Sequence, residues 1–484
     1  MSTEVPVDDP SRELMPQGAT GKVRWGALAL VLIGTFVTVL DYFIANVAVP
    51  SIQAELHTSS AQIQLVVAGY GVALTAGLIT AGRMGDIFGR RRIFSLGLAI
   101  FVVASLACGI AQSPSELVIA RIVQGIGAAL LVPQVLGIIG TLYTGDQRVR
   151  AFTAYGLVIG LAGVFGQLIG GALISLNIAG SDWRAVFLIN VPIGLVALLL
   201  VPGLLPKSER VPGARLDLLG ALLVTAALAL IVGCLVEGRE QGWPAWSWGG
   251  LIVAVLAVQA AALHLRRLAR RDAQPLIHPA LFGIRSFSVG LAATLVYFLA
   301  MGSFFFLLAF YLQQGRGLSA LQSGLMFLAL GAGYFGTSLM AAPLTALLGR
   351  RLVVFGPATV ALGYALLVMT VSRIGIGGSI SWLLPSLIIA GTGMGMTTGP
   401  LTNVVLTGVD PAHAASASGA VNTAQEGGAA IGVAIAGTVF YSTLGKAAHP
   451  SSYAHAMEMS LIPLIAFGIL AATIAHLLPR DQEA

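Results

Sequence analysis

Three charged side chains stand inside long apolar runs. Asp41 lies in Leu40-Asp41-Tyr42-Phe43-Ile44-Ala45-Asn46-Val47-Ala48-Val49-Pro50, Arg121 in Arg121-Ile122-Val123-Gln124-Gly125-Ile126-Gly127-Ala128-Ala129, and Glu426 in Asn422-Thr423-Ala424-Gln425-Glu426-Gly427-Gly428. If these runs are membrane helices, an unpaired Asp or Arg at mid-depth costs about 2.5 to 3.5 kcal/mol, so each needs a partner or a function. At 1.5 Å per residue Asp41 lies roughly 24 Å from the start of its run at Trp25. Arg121, entering from the other side near Leu117, lies roughly 6 Å down, the same level in a core about 30 Å thick. The two charges can therefore pair, either as a permanent structural clamp or with Asp41 as a carboxylate whose protonation changes as a cavity opens. Glu426 lies roughly 15 Å into its run from Ser416, near the midplane, with no basic residue at its depth. It suits proton carriage or binding of a cationic substrate, or it is an acid that hydrogen-bonds a neighbouring helix.

A second cluster is the loop Gly82-Arg83-Met84-Gly85-Asp86-Ile87-Phe88-Gly89-Arg90-Arg91. Its glycines permit a tight turn between two helices, and Asp86 can make charge pairs with the arginines that break when parts of the molecule move. A merely basic turn does not need an embedded Asp. The terminal Gly89-Arg90-Arg91 recurs as Gly349-Arg350-Arg351, with Ala346 where the first copy has Asp86. Gly163, Gly166, Gly170 and Gly171 likewise find a counterpart around Gly427, Gly428 and Gly432. The chain reads as two related halves, and any latch at Asp86 is one-sided.

The elements that must position these residues are membrane helices. Of 484 residues 57% are hydrophobic and only 10% charged, against about 25% charged in soluble domains. The sixty glycines suit helices packed closely in lipid. Apolar windows long enough to cross a bilayer fall at 25–49, 61–82, 93–112, 116–142, 151–175, 185–205, 217–237, 248–268, 287–312, 322–346, 352–372, 380–406, 416–441 and 459–478. These spacings predict an all-α polytopic membrane protein with fourteen transmembrane helices: two six-helix halves, 25–205 and 286–478, joined by a linker, 206–285, that carries helices seven and eight. Tails at 1–24 and 479–484 complete the chain. Residues 1–24 are polar and acidic before Lys22 and Arg24, so the first run reads as a retained span and not a cleaved signal peptide.

If the N-terminus is cytoplasmic, the inside segments collect most of the Lys and Arg, among them Arg83, Arg90, Arg91, Arg92, Arg266, Arg267, Arg350 and Arg351. The net charge of +6 then expresses membrane orientation and no nucleic-acid footprint, and the even span count puts both termini inside. Cys108 and Cys234 sit in apolar runs as packing residues, with no disulfide framework and no metal-ligand spacing.

These motifs, taken together, resemble the major facilitator superfamily in its fourteen-span drug:proton antiporter branch, over essentially residues 25 to 478. The Gly82–Arg91 loop is similar to the superfamily's best-known signature. The resemblance implies a conformational latch at Gly82, Arg83, Gly85, Asp86, Gly89, Arg90 and Arg91, with Asp86 near the start of a later helix at Ala415 to Gly419. The Asp41 segment and the Arg121-x-x-Gln124-Gly125 segment resemble signatures of the antiporter branch. This implies proton coupling at Asp41 and Arg121; Glu426 joins them on its depth alone, since the branch more often has Gln there. Gly163, Gly166, Gln167, Gly170 and Gly171 resemble the branch's helix-packing antiporter motif, whose usual proline is replaced by Gln167. The small face survives, but the proline kink does not. The run Trp183-Arg184-Ala185-Val186-Phe187-Leu188-Ile189-Asn190-Val191-Pro192-Ile193-Gly194 also looks like this branch, without a mechanism that requires it. Tyr42, Asn46, Gln124, Tyr297, Phe304 and Phe305 are the residues expected at an apolar substrate cavity, with packing the alternative for the aromatic ones.

The function expected of such a chain is that of an exporter of small amphipathic or cationic compounds, drugs or antibiotics, in exchange for protons across a bacterial inner membrane. The chain is expected to act as a monomer and without cofactor or metal. No Gly-x-x-x-x-Gly-Lys-Ser/Thr motif offers ATP binding, since Gly445-Lys446 is followed by Ala447. No His-Glu-x-x-His or Gly-x-Ser-x-Gly run offers enzyme chemistry. The rivals are a dedicated exporter of one natural product and a proton-coupled importer on the same scaffold.

Overall fold

The protein is described by a computed structural model over residues 21–143, 145–207, 216–271, 277–410, 414–445 and 449–479. Most of the expected tails 1–24 and 479–484, with the basic residues Arg210, Arg215, Lys446 and Arg480, lie outside the described residues. Sixteen helices follow one another: α1 Gly21–Glu55, α2 Ser60–Phe88, α3 Arg90–Ile110, α4 Pro114–Leu142, α5 Gly145–Leu176, α6 Ala185–Leu188, α7 Asn190–Leu204, α8 Leu218–Glu240, α9 Ala245–Ala269, α10 Arg285–Phe310, α11 Ala320–Leu339, α12 Ala341–Leu348, α13 Arg351–Ile374, α14 Leu384–Leu406, α15 Ala414–Leu444 and α16 Pro450–His476. Among the described residues no strand occurs. Among the described residues thirteen helical stretches are long and apolar enough to cross a membrane.

The window expected at 322–346 behaves differently from a single span. α11 stops at Leu339 and α12 begins at Ala341, and Pro343 supplies the reason. A proline in a first turn is tolerated, whereas one inside a continuous helix would clash with the carbonyl four residues back, at Leu339. α11 is also diluted by Gly331, Gly333 and Gly336, and stays below the apolarity of the thirteen. Those glycines serve contacts: Gly331 faces Val164 of α5, and Gly333 faces the backbone of α14 at Ile388 and Thr392.

Short turns make neighbours antiparallel. α1 packs on α5, α3 and α2 on α4, and α7 on α1 and α3. In the second half of the chain α10 packs on α15 and α16, and α13 and α11 on α14. Two seams join these groups, α2 along α15 and α5 along α11. We call the two ends of the bundle the Gly89 face and the Ser60 face.

α8 lies on the α2–α15 seam. Its last residues, at the Ser60 face, hold both partners: Glu240 accepts from the Ala61 amide (2.6 Å) and the Ser60 hydroxyl (3.1 Å), and so caps the first turn of α2. Arg239 donates to Ser60 and stands 5.4 Å over the Tyr441 ring of α15. α9 lies outermost, with Ile252, Val253, Val255, Leu256, Val258 and Leu263 exposed, an apolar surface that matches lipid.

Candidate proton-coupling site

Asp41 and Arg121 are fully buried and form an ion pair through Oδ2 and Nη1. Asp41 has a second buried oxygen to satisfy, and two carboxamides do so: Gln124 Nε2 and Asn190 Nδ2 each donate to Oδ1 at 2.8 Å. Gln124, one turn along α4 from Arg121, is itself held on both sides. Its Oε1 accepts from Arg121 Nη1 (2.6 Å), and its Nε2 donates to Ser105 Oγ of α3 (2.8 Å). Arg121 Nε donates to the Val66 carbonyl at 3.0 Å, and its guanidinium stands 4.4 Å over the Tyr70 ring and 5.5 Å from that of Phe187. α2 and α4 approach closely enough for this because Gly125 faces the Tyr70 carbonyl; a Cβ there would stand 2.5 Å from it. Two polar atoms of the network, Arg121 Nη2 and Asn190 Oδ1, are buried with no partner among the described residues.

Asn190 was not among the residues singled out from the sequence. The signal was present: it is an amide inside an apolar run, the same anomaly that marks Asp41. Its segment now has a structural reason. The buried Trp183 donates its indole N–H to Glu55 Oε2 at the end of α1 (2.7 Å). Arg184 donates to Glu55 Oε1 (2.6 Å) and to the Ala111 carbonyl at the end of α3 (3.2 Å). The start of α6 is thereby tied to α1 and α3, and α7 begins where Asn190 meets Asp41.

Glu426, on α15, is half-buried and makes no ion pair among the described residues. Tyr42 and Tyr70 stand with ring centroids 6.3 Å apart, and the Glu426 carbonyl lies beside Gly71, the residue after Tyr70 on α2.

Of the expected cavity residues, Tyr42 leads through Phe43 to Phe305, edge to face at 4.8 Å, a contact between α1 and α10. Asn46 is buried, donating to the Tyr42 carbonyl (2.9 Å) with its Oδ1 unpartnered among the described residues. Gln124 belongs to the ion-pair network. Tyr297 and Phe304 are fully buried in packing, Tyr297 against Thr398 of α14 (3.3 Å) and Phe304 stacked on Tyr364 of α13 (4.5 Å). A shallow cleft of about 410 Å³, bordered by Pro50, Ala54, Ser175, Gln313 and Ala320, opens at the Ser60 face. It begins nine residues along α1 from Asp41, roughly 14 Å, so it is separate from the charged centre.

Residues 31–433 match the family described as Major Facilitator Superfamily. The chain belongs to this superfamily. It is 36% identical over 435 residues to a probable actinorhodin transporter of Streptomyces coelicolor, covering 88% of this chain and 74% of that one. It is 34% identical over 474 residues to the cephamycin export protein CmcT of Amycolatopsis lactamdurans, covering 96% and 94%. In fold it resembles a bacterial homolog of the human lysosomal transporter Spinster in an inward-facing, unoccupied conformation, with a TM-score of 0.68, 19% identity and coverage of 95% and 98%. The protein is thus a multi-pass membrane transporter and not an enzyme.

The superfamily loop has a clear local geometry. Gly89 turns the chain from α2 into α3 at φ 95°, where a side chain would be strained. Asp86 pairs with Arg90 at 3.2 Å across the Gly89 turn, and Arg90 lies across Gly137 of α4. Gly85 leaves room for Gln134, which donates to the Ala81 carbonyl (2.7 Å). Gly82 sits beside Pro133. Arg83 and Arg91 have partners of their own. Ile79, two turns before Asp86, packs on Gly419, so this end of α2 runs beside the start of α15. In the second copy Gly349 turns at φ 51°, and Arg350 donates to the Leu478 carbonyl after α16.

The glycine-rich motif of α5 serves two interfaces. Gly163, Gly166 and Gly170 face Phe43, Ile44 and Val47 of α1, while Gly171 faces Ala320 and Leu321 of α11. Gln167, in the proline position, is fully buried with neither amide atom partnered among the described residues, and its carbonyl faces Gly324 of α11.

Proposed function

We propose that the protein is a proton-coupled exporter of small amphipathic compounds, natural-product antibiotics among them, working by alternating access. The observation that carries this reading is the Asp41–Arg121 pair, fully buried and surrounded by donors that suit the ionised acid. A proton on Asp41 removes the charge that holds Arg121, so occupancy by protons and the arrangement of α1, α4 and α7 depend on each other. Glu426, half-buried and in no ion pair among the described residues, is the place where a cationic substrate or a second proton would act. Tyr42, Phe43 and Phe305 supply aromatic surface between α1 and α10 for an apolar body. The proton gradient drives the cycle, with no cofactor.

We assign the Gly89 face to the cytoplasm of a bacterial inner membrane, with both termini on that side, because Arg83, Arg90, Arg91, Arg92, Arg350 and Arg351 collect there. Counting α11 as a span gives fourteen, with halves at 25–205 and 286–478, the linker at 206–285, and a monomer as the working unit. α8 on the α2–α15 seam favours the added-pair organisation. Names of relatives that specify actinorhodin and cephamycin support natural-product antibiotics as substrates. The test is the sign and breadth of the effect. Expression should lower accumulation of a fluorescent lipophilic cation and raise tolerance to one antibiotic class in a panel of unrelated compounds. Raised accumulation would instead identify an importer.

A further inference from the structure

We propose that Asn190 is a positioning residue that follows the proton on Asp41: its amide donates to the carboxylate, turns half a revolution about its Cβ–Cγ bond when the acid is protonated, and then accepts from it. The inference rests on proton coupling at Asp41.

Asp41 Oδ2 faces the Arg121 guanidinium, a donor that repels an added proton, so the proton goes to Oδ1. Oδ1 already receives two N–H groups, from Gln124 and Asn190 at 2.8 Å each, and an O–H there must displace one of them or find an acceptor. Gln124 cannot yield. Turning it would set its NH2 against Arg121 Nη1, now 2.6 Å from its oxygen, and take the donor from Ser105. Asn190 is different. Its Nδ2 bonds to Asp41, and its Oδ1, fully buried, has no partner among the described residues, so rotation breaks no other bond there.

Before protonation the bond is N–H to carboxylate oxygen; afterwards it is O–H to amide oxygen. One proton has been added from water, and no heavy-atom bond changes. The ionisable groups around Asp41 are Arg121 from α4, Tyr70 from α2, Cys108 from α3 and its own neighbour Tyr42, with Glu426 of α15 beyond the two phenols. None of these is hydrogen-bonded to Oδ1. The tie of Trp183 and Arg184 to Glu55 holds the backbone of this segment in place, so the amide can turn while α7 stays.

The test is acid-minus-base infrared difference spectroscopy on the purified protein in lipid nanodiscs, which needs no transport. Wild type should show a protonated-carboxyl band that is lost in Asp41→Asn, together with an asparagine amide band that moves when asparagine carries a 13C side-chain carbonyl. Asn190→Leu, which keeps the branching and the number of heavy atoms, should lose the amide change and shift the Asp41 carboxyl band to higher wavenumber, as for an acid without an acceptor. An unchanged carboxyl band in Asn190→Leu overturns the proposal. So does a labelled wild type without an asparagine signal, a result that decides the matter even if Asn190→Leu does not fold. A wild type with no Asp41-dependent band at all contradicts proton coupling at Asp41 itself, which is a separate failure.

Discussion

Glu55, the last residue of α1, accepts the indole N–H of Trp183 at 2.7 Å and so joins the Ser60 end of the helix that carries Asp41 to the segment that carries Asn190. Trp183 is fully buried, whereas the Glu55 carboxylate is partly exposed, so most of the value of this contact lies in placing the indole. Trp183→Phe keeps an aromatic ring, removes the donor and leaves a smaller side chain. It should lower the thermal unfolding temperature in detergent by a few degrees, the equivalent of about 1 to 3 kcal/mol. Glu55→Gln, which can still accept through its amide oxygen, should cost less. Equal losses in the two variants would show that the ion pair with Arg184 matters more than the indole.

The buried pair makes a non-additive prediction. Asp41→Asn leaves Arg121 uncompensated, and losing one partner of a buried pair costs about 3 to 5 kcal/mol. Adding Arg121→Gln removes the stranded charge, so the double variant should recover membrane levels and melting temperature toward wild type while remaining inactive in gradient-driven transport. Additive losses of stability would contradict a direct pair.

Asp86 makes its pair across the Gly89 turn, with Arg90, at the end of α2 that runs beside α15. Asp86→Asn keeps volume and removes charge, so the protein should reach the membrane at wild-type level and transport at a small fraction of the wild-type rate. Wild-type rates per molecule would leave the loop with a purely structural role.

Orientation is checked by labelling. Single cysteines at Thr407, after α14 on the Gly89 face, and at Ser451, at the start of α16 on the other, are both exposed. In a background lacking Cys108 and Cys234, an impermeant thiol reagent added to intact cells should label only Ser451→Cys. Labelling of Thr407→Cys alone would invert the assignment.

The charged centre was legible because charge in lipid is expensive, so Asp41 and Arg121 stand out in any apolar run, and counting residues places them at one depth. Asn190 escaped notice because a neutral amide is a weaker anomaly, and nothing in the order of residues says that α7 will pass beside α1. The turn at Gly89 could be read from its repeat at Gly349, but the reasons for Gly85 and Gly137, room for Gln134 and Arg90, come from a third helix and are visible only in space. The break at Met340 had a local signal in Pro343, outweighed in the sequence by the apolar window around it. Tyr297 and Phe304 show the limit of composition: an aromatic cluster states a need for burial, and tertiary contacts with Thr398 and Tyr364 decide where that burial occurs.

Proton coupling at Asp41 is most directly tested by counterflow in proteoliposomes of purified protein, with a pH-sensitive dye inside and a lipophilic cation and a neutral compound as alternative substrates. Wild type should move protons against substrate and accelerate substrate movement when a pH gradient is imposed. The Asp41→Asn and Arg121→Gln double variant should bind substrate but show neither effect. Glu426→Gln should keep coupling with the neutral substrate and lose rate with the cation. Substrate movement by wild type that is unchanged when the gradient is collapsed, with no substrate-dependent dye signal, would contradict the account.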